Sequence, residues 1–211
     1  MIFKDRATAG RELAKRLAEF KDQNPVVLAL PRGGVPVAFE IAQGIHAPLD
    51  VIVIRKLGIP FQPELAMGAV GEGGVIVRND QVIAMAGITP EQFEVARLKE
   101  FEVVVDRAIK FREERPPVSL KGRMALIVDD GIATGSTAQA ACNVARGLGA
   151  DKVILAVPVG SKEAVEALSK IADQVICLEV PENFFAVGEW YEDFSAVTDE
   201  EVVTLLRKSQ R

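Results

Sequence analysis

Short, continuous runs of apolar and mostly β-branched residues limit the folds open to this chain more than any other feature of its sequence. Three of these runs lie at residues 26–30, 51–54 and 124–128. Runs of this length without polar alternation are typical of strands that are buried on both faces, as in a parallel sheet. Two further strands are predicted at residues 153–157 and 174–178.

Helical segments alternate with these strands along the chain. The predicted helices lie at residues 5–22, 35–43, 90–112, 136–148, 163–171 and 199–208. Strands that alternate with helices form a parallel sheet whose crossovers are right-handed. The sequence therefore predicts an α/β fold, in which helices flank a Rossmann-like, open and mainly parallel sheet.

Two regions depart from this alternation. Glycine and proline punctuate residues 57–88, which predicts a mobile loop followed by a small antiparallel excursion. An aromatic-rich stretch at residues 181–194 precedes the last helix. The simplest account is a single domain over residues 1–211, with its core at about 26–178, an inserted part at 57–117 and a tail at 179–211.

Composition argues against several classes of protein. The 211 residues are 49% hydrophobic and 26% charged, as in a soluble globular protein, and the net charge of −5 argues against a nucleic-acid partner. One histidine, His46, and two isolated cysteines argue against a His/Cys zinc site. No apolar leader opens the chain and no apolar run reaches membrane-spanning length, so we expect a cytoplasmic protein without a membrane partner.

Polar or glycine-rich segments follow three of the predicted strands. They comprise residues 31–34, 55–56 and 129–137. In open parallel sheets, ligands bind at the carboxyl ends of the strands, which meet at one edge. We therefore expect these three segments to converge on one binding site.

The segment 129–137 carries most of the chemical information. Its glycines, Gly131 and Gly135, allow a tight backbone close to a ligand, and its hydroxyl residues lie beside the amino end of a predicted helix. Open amides and the positive end of a helix together favour a phosphate group. The carboxylates of Asp129 and Asp130 would repel phosphate but suit ribose hydroxyls or Mg²⁺. This segment therefore predicts a ribose 5-phosphate site.

Residues 128–137, which read Val-Asp-Asp-Gly-Ile-Ala-Thr-Gly-Ser-Thr, resemble the motif with which type I phosphoribosyltransferases bind 5-phosphoribosyl-1-pyrophosphate (PRPP). The likeness extends over residues 26–178, and the residues 32–34 resemble the pyrophosphate loop of that family. In the family this loop often contains a non-proline cis peptide bond. The resemblance implies the type I phosphoribosyltransferase fold, with a flexible catalytic loop at 57–65 and a hood-like tail.

The resemblance also implies a role for each residue of the site. The residues implied for the 5′-phosphate are Ile132, Ala133, Thr134, Gly135, Ser136 and Thr137. Asp129 and Asp130 would bind the ribose and help to orient Mg²⁺, which PRPP carries. The residues implied for pyrophosphate are Arg32, Gly33, Gly34, Arg55 and Lys56, of which Arg32 and Lys56 join the two aspartates as catalytic residues. Basic pairs at strand ends are as often solvated caps, which leaves Arg55 and Lys56 open to either interpretation.

The acceptor is the least defined part of the prediction. Hoods in the family often stack a base on an aromatic side chain, and the tail offers Phe184, Phe185, Trp190 and Tyr191. Packing of the tail onto the core explains these aromatic residues equally well. Ala133 stands where family enzymes for 6-oxopurines have an aspartate, so the resemblance argues against hypoxanthine or guanine as the acceptor.

The sequence therefore predicts a Mg²⁺-dependent phosphoribosyltransferase, which moves ribose 5-phosphate from PRPP to a small nitrogenous acceptor such as a nucleobase and releases pyrophosphate. The alternative is a PRPP-binding regulator without turnover, although such proteins usually add a surface for nucleic acid. Another kind of Rossmann-like nucleotide binder would require a G-x-G-x-x-G or P-loop string, which this sequence lacks. The family resemblance further implies a homodimer.

Overall fold

The computed structural model describes residues 1–113 and 115–210. Its strands are β1 (Pro25–Ala29), β2 (Leu49–Val51), β3 (Ile54–Ile59), β4 (Gln62–Gly71), β5 (Ile76–Arg78), β6 (Met124–Val128), β7 (Lys152–Val159) and β8 (Gln174–Glu179). Its α-helices are α1 (Arg6–Leu17), α2 (Gly34–Ile45), α3 (Asp80–Ala86), α4 (Pro90–Arg112), α5 (Ser136–Gly147), α6 (Lys162–Leu168) and α7 (Asp199–Lys208). Within these described ranges, no helix combines the length and the apolar character needed to cross a membrane.

Five strands form a parallel sheet in the order β2-β1-β6-β7-β8. The register pairs Ala29 with Val128 and Val128 with Ala156, so the carboxyl ends of β1 and β6 lie side by side. Every residue of β1 and β6 is buried, because α1 and α2 pack on one face of the sheet and α5 and α6 on the other. These observations confirm the predicted α/β fold with a mainly parallel sheet.

Strands β3, β4 and β5 form a small antiparallel sheet, which confirms the predicted antiparallel excursion. The strand predicted at 51–54 is wrong in its bounds, because β2 ends at Val51 and the chain enters the second sheet at Ile54. Ile52 and Val53 are each 1% exposed, as buried as strand residues. A continuous apolar pattern therefore hides the point at which the chain changes sheets.

The segment predicted as a flexible loop, residues 57–65, instead forms the half of the β3–β4 hairpin that contains its turn. Gly58 explains the difference, because a side chain at this position would overlap the backbone carbonyl of Pro63 on the facing strand. The glycine therefore permits a close approach of two strands rather than marking a loop. Arg55 and Lys56 lie within β3, and not after a parallel strand as the sequence predicted.

Helix α4 begins where the sequence predicts it. The hydroxyl of Thr89 accepts a hydrogen bond from the amide of Gln92 at 3.2 Å, and the Gln92 side chain accepts one from the amide of Thr89 at 2.9 Å. Helix α3 was not predicted, although Asn79 caps it by accepting a hydrogen bond from the amide of Val82. Val82, Ile83 and Ala86 pack partly buried against the core, but the seven residues of α3 are fewer than the window over which a periodic apolar pattern predicts a helix.

A buried ionic cluster fixes the carboxyl end of α4 to both sheets. The guanidinium of Arg112 donates to Asp50 at 2.7 Å and to Glu72 at 2.6 Å. The two carboxylates also accept hydrogen bonds from the amides of Val118 and Val53, at 2.8 and 2.9 Å. Every partner in this cluster is therefore hydrogen-bonded, which is the condition under which buried charges are tolerated.

Candidate active site

The loop between β6 and α5, together with the first two residues of α5, spans residues 129–137 and is called the β6–α5 loop here. The backbone amides of residues 133–137 donate no hydrogen bond to any residue that the structure describes. The hydroxyl of Ser161 donates to the carbonyl of Ala133 at 2.7 Å, and the amide of Ser161 donates to the carbonyl of Ile132 at 2.9 Å. Ser161 therefore engages the carbonyl groups of the loop while five successive amides stay open.

The residues that carry these amides add hydroxyl donors to the backbone amides. Gly135 has a φ of +76°, a left-handed conformation that strains any residue with a side chain. The hydroxyl oxygens of Thr134 and Ser136 lie 3.2 Å apart, directly beside the amino end of α5. Open amides, hydroxyl groups and the positive end of a helix form a suitable environment for a phosphate group.

Ile132 differs from the other residues predicted to bind the phosphate. Its side chain is 3% exposed, and its amide donates a hydrogen bond to the carbonyl of Val159 at 2.9 Å. This amide is already engaged within the protein and is not available to a ligand. The open donors of the loop therefore begin at Ala133.

Asp129 and Asp130 follow β6 directly but have different surroundings. One oxygen of Asp129 accepts a hydrogen bond from the amide of Asp130 at 2.9 Å, and its other oxygen has no hydrogen-bond partner within the described ranges. One oxygen of Asp130 accepts a hydrogen bond from the Nε of Arg6 at 2.8 Å, and its other oxygen likewise has no hydrogen-bond partner in the described part of the chain. Burial raises the pKa of Asp129 well above its ordinary value, and the neighbouring charge of Asp130 raises it further. A cation bound beside Asp129 would favour its charged form.

The loop after β1 and the first residue of α2, residues 31–34, lie against the acid pair and are called the Arg32 loop here. The peptide bond between Pro31 and Arg32 is cis, as the family resemblance implies. A side chain at Gly33 would overlap the carboxylate of Asp130, so glycine is required for this contact. The Arg32 loop and the β6–α5 loop, which the sequence predicted to converge, therefore touch each other.

The donors of the Arg32 loop are only partly open. The amide of Gly34 donates to the carbonyl of Leu30 at 3.1 Å, whereas the amides of Arg32 and Gly33 donate to no residue in the described part of the chain. The guanidinium of Arg32 lies 3.6 Å from a carboxylate oxygen of Asp199 at the start of α7, and 54% of the Arg32 side chain is exposed. Two amides and a largely exposed cation are thus the groups that this loop offers to an anion.

Arg55 and Lys56 border a cleft of about 830 Å³ between the β3–β4 hairpin and α4. The Nε of Arg55 donates to a carboxylate oxygen of Glu100 on α4 at 2.8 Å, while Lys56 is exposed to solvent. Thr137 is the residue of the β6–α5 loop that borders the same cleft. The cleft therefore joins the two basic residues to the amino end of α5.

Tyr191 is packed against the protein and does not present its ring as a stacking surface. Its ring centroid lies 5.6 Å from that of Phe3 and 5.1 Å from that of Phe194. Its hydroxyl donates to the backbone carbonyl of Asp130 at 2.6 Å, and burial raises the pKa of this hydroxyl. Tyr191 thus supports the acid pair from within the protein.

The other three aromatic residues of the predicted hood are placed differently. Phe185 is 83% exposed, whereas Phe184 and Trp190 are partly buried. The Nε1 of Trp190 is buried and has no hydrogen-bond partner within the described ranges. Trp190 packs against the cluster that contains Phe3 and Tyr191, whereas Phe185 faces solvent, so the four aromatic residues differ in burial.

Three residues that sequence reasoning missed contact the site. Arg6 binds Asp130, Ser161 holds the β6–α5 loop, and the ring of Phe194 lies 3.9 Å from the guanidinium carbon of Arg6. Arg6 is one of several charged residues in an amphipathic helix, so no local pattern distinguishes it. The capping position of Ser161 before α6 is a local signal, but it points to a helix start and not to a site.

The acid pair is also the place where a metal ion would fit. Within the described residues, no group of three or more His, Cys, Asp or Glu side chains could hold a metal ion by itself. Mg²⁺ is commonly bound by one or two carboxylates together with phosphate oxygens of a ligand. The open oxygen of Asp129 beside the phosphate-type donors of the loop matches that pattern.

Comparison with known sequences points to one family. The sequence profile described as "Phosphoribosyl transferase domain" matches residues 3–193. A Mycobacterium tuberculosis H37Rv protein, whose name gives phosphoribosyl transferase as a provisional assignment, is 52% identical over 210 residues. The match covers 100% of this chain and 47% of that protein, so the chain spans about half the length of the curated relatives it matches.

Two solved structures are also similar. The TT1426 protein from Thermus thermophilus is 45% identical, with 99% of each chain covered and a TM-score of 0.89. The AQ2163 protein from Aquifex aeolicus is 14% identical over 87% of this chain and 78% of its own, and its TM-score of 0.52 shows a likeness in fold alone. Because the family profile covers most of its length, the chain belongs to the phosphoribosyl transferase domain family.

Proposed function

We propose that this chain transfers ribose 5-phosphate from PRPP to a nitrogenous acceptor, with release of pyrophosphate. The observation that supports the proposal most strongly is the row of open amides at residues 133–137 beside Asp129 and Asp130. Both groups lie at the carboxyl end of β6, where a parallel sheet binds its ligands. Because the curated relatives are longer, the proposal concerns the domain that this chain represents.

In this proposal each part of PRPP has its own set of donors or acceptors. The 5′-phosphate accepts hydrogen bonds from the open amides of residues 133–137 and from the hydroxyls of Thr134 and Ser136. The ribose hydroxyls donate to the open carboxylate oxygens of Asp129 and Asp130. This order follows the chain, because acid and phosphate donors lie at opposite ends of one loop.

The pyrophosphate group binds on the side of the Arg32 loop. The amides of Arg32 and Gly33 are open, and the loop touches the acid pair that holds the ribose. The side chains of Arg32 and Lys56 supply positive charge, each from an exposed position. Gly34 contributes through its size and not through its amide, which is engaged.

Asp129 is the residue proposed to hold Mg²⁺, with phosphate oxygens of PRPP completing its ligands. When bound, the ion supplies positive charge that favours departure of pyrophosphate. The chain itself contributes orientation and electrostatic stabilisation as the anomeric carbon–oxygen bond breaks and positive charge grows on the ribose. The carboxylate of Asp129, which is proposed to bind the ribose, would stabilise that charge.

The proposed acceptor is a nucleobase or a related nitrogen heterocycle. Ala133 offers no carboxylate to take a ring proton, so the proposal favours acceptors other than hypoxanthine and guanine. Tyr191 is engaged with Asp130 and packed against two phenylalanine rings, so we do not assign base stacking to it.

Calorimetric titration with PRPP, in the presence and absence of Mg²⁺, tests the proposal. We expect Mg²⁺-dependent binding by the unmodified chain and at least about tenfold weaker binding by Asp129→Asn, because a charged partner is lost. Asp106→Asn is the matched control, since Asp106 is an exposed carboxylate on α4. A panel of nucleobases is then assayed for pyrophosphate release.

Two outcomes contradict the proposal in different ways. Failure of the unmodified chain to bind PRPP with Mg²⁺ overturns it entirely. Binding without pyrophosphate release across the whole panel overturns the catalytic part and favours a PRPP sensor.

A further inference from the structure

Arg6 is held on three sides at the edge of the acid pair. Its Nε donates to Asp130 at 2.8 Å, and its Nη1 donates to the backbone carbonyl of Ser195 at 2.8 Å. The guanidinium carbon lies 3.9 Å from the centroid of the Phe194 ring, within the range of a cation–π contact. These contacts leave the guanidinium a single orientation.

The ion pair between Arg6 and Asp130 is largely removed from solvent. Only 11% of the Arg6 side chain and 15% of the Asp130 side chain are exposed. Exposed ion pairs are loose and strongly screened, whereas pairs with little solvent access hold a defined geometry. This pair therefore fixes where the Asp130 carboxylate points.

Asp130 makes further contacts, although its second carboxylate oxygen has no hydrogen-bond partner within the described ranges. Its backbone carbonyl accepts a hydrogen bond from Tyr191, and its carboxylate lies so close to Gly33 that a side chain there would overlap it. Its amide donates to Asp129. Asp130 is thus the point at which the β6–α5 loop, the Arg32 loop, α1 and the segment around Tyr191 meet.

A short backbone bridge pairs Phe3, which precedes α1, with the segment 190–192, which precedes α7. The amide of Phe3 donates to the carbonyl of Trp190 at 2.8 Å, and the amide of Glu192 donates to the carbonyl of Phe3 at 2.8 Å. Arg6 and Tyr191, which lie close to this bridge in sequence, both bond to Asp130. The separation of 124 positions between Arg6 and Asp130 in sequence makes the contact entirely tertiary.

We infer that Arg6 is a positioning residue for the proposed phosphoribosyl transfer and acts through Asp130. The inference rests on the proposed function. The two aspartates then share the ribose site: Asp129 presents its open oxygen to the ribose and to Mg²⁺, while Asp130, which Arg6 orients through one oxygen, keeps its second oxygen open to the ribose. Arg6 has no contact with PRPP in this arrangement and serves only to orient Asp130.

Substitution of Arg6 tests this role by its effect on PRPP binding. We expect Arg6→Met to bind PRPP with Mg²⁺ at least about tenfold more weakly, since a charged hydrogen bond that orients the site is lost. Arg6→Lys keeps the charge without the planar guanidinium, so it should recover part of the affinity. Arg11→Met is the control, because Arg11 is an exposed residue of the same helix whose ion pair is with Glu40.

A double-variant comparison separates positioning through Asp130 from a general loss of structure. If Arg6 acts through Asp130, Arg6→Met should weaken PRPP binding little further once Asp130→Asn is present, because coupled residues are not additive. Tyr191→Phe, which keeps the ring but removes the bond to Asp130, should raise the KM for PRPP more than it lowers kcat. Thermal melting of each variant shows whether it is folded. If Arg6→Met is unfolded, the PRPP binding of Arg6→Lys and Tyr191→Phe tests the positioning role instead.

The outcomes that overturn this inference differ from those that overturn the proposed function. Unchanged or tighter binding of PRPP by the folded Arg6 variants overturns the positioning role while leaving the transferase proposal intact. Fully additive losses in Arg6→Met and Asp130→Asn also overturn it. Only a failure of the unmodified chain to bind PRPP overturns the positioning role and the proposed function together.

Discussion

The hydroxyl of Ser161 donates a hydrogen bond to the backbone carbonyl of Ala133 at 2.7 Å. The same oxygen accepts a hydrogen bond from the amide of Ala164 at 3.2 Å and so caps α6. One buried side chain therefore connects the open amides of the β6–α5 loop to the start of the next helix. Its removal should affect both the site and the stability of the fold.

Ser161→Ala should weaken the binding of PRPP several-fold and lower the free energy of unfolding by about 1 kcal/mol, the usual cost of losing a helix cap. Calorimetry and urea denaturation measure the two effects. Ser169→Ala is the control, because the Ser169 hydroxyl binds the carbonyl of Val165 at an exposed position. Equal affinity for PRPP in the two variants would contradict the role given to Ser161.

Gly33→Ala should abolish or greatly weaken PRPP binding. Gly33 has a φ of −60°, which alanine adopts without strain, so the added methyl group acts only by overlapping the Asp130 carboxylate. Gly87→Ala is the control, because a Cβ there meets open space while its φ of +63° costs about 1 kcal/mol of stability. We expect Gly87→Ala to be less stable but to bind PRPP normally. Normal binding by Gly33→Ala would show that the two loops are not in contact.

Arg112→Met should lower the free energy of unfolding by about 3–5 kcal/mol, because it leaves the carboxylates of Asp50 and Glu72 buried without their cation. Arg107→Met, at an exposed position of the same helix, should change it by less than about 0.5 kcal/mol. Urea denaturation followed by circular dichroism compares them. Similar stabilities of the two variants would refute a structural role for the buried cluster.

Both cysteines should react slowly with iodoacetamide in the folded protein. Burial raises the pKa of Cys142 to about 11 and that of Cys177 to about 12. A raised pKa leaves less thiolate near neutral pH, and the thiolate is the reactive form. The rate should therefore keep rising with pH beyond the point at which an ordinary thiol levels off. Mass spectrometry of folded and urea-unfolded samples checks this, and equal rates in the two would contradict it.

The main sheet could be predicted because its strands are buried on both faces. The runs at 26–30 and 124–128 coincide with β1 and β6 to within one or two residues, and both are fully buried. The strand bounds predicted from the run at 51–54 were wrong for the same physical reason. Ile52 and Val53 are buried after leaving the sheet, so apolar character reports burial and not hydrogen-bond partners.

The candidate site could be predicted only where its residues are close in sequence. The acids, glycines and hydroxyls at 129–137 fall within a single loop, and their order predicts a ribose 5-phosphate site. Arg6 and Ser161 reach that loop from distant parts of the chain, so no local pattern connects them to it. The aromatic tail was visible as a composition, but which ring packs inward depends on tertiary contacts such as that of Tyr191 with Asp130.

The backbone bridge makes Phe3 and the segment 190–192 one unit of local opening. Neither strand of the bridge can detach without exposing the amide of its partner, so deuterium should enter at Phe3 and Glu192 at a shared rate. If Arg6 and Tyr191 both hold Asp130 as described, PRPP should slow that exchange at Phe3 and at Glu192, although neither residue contacts it. Hydrogen exchange at these two amides would then report whether the sugar site is occupied.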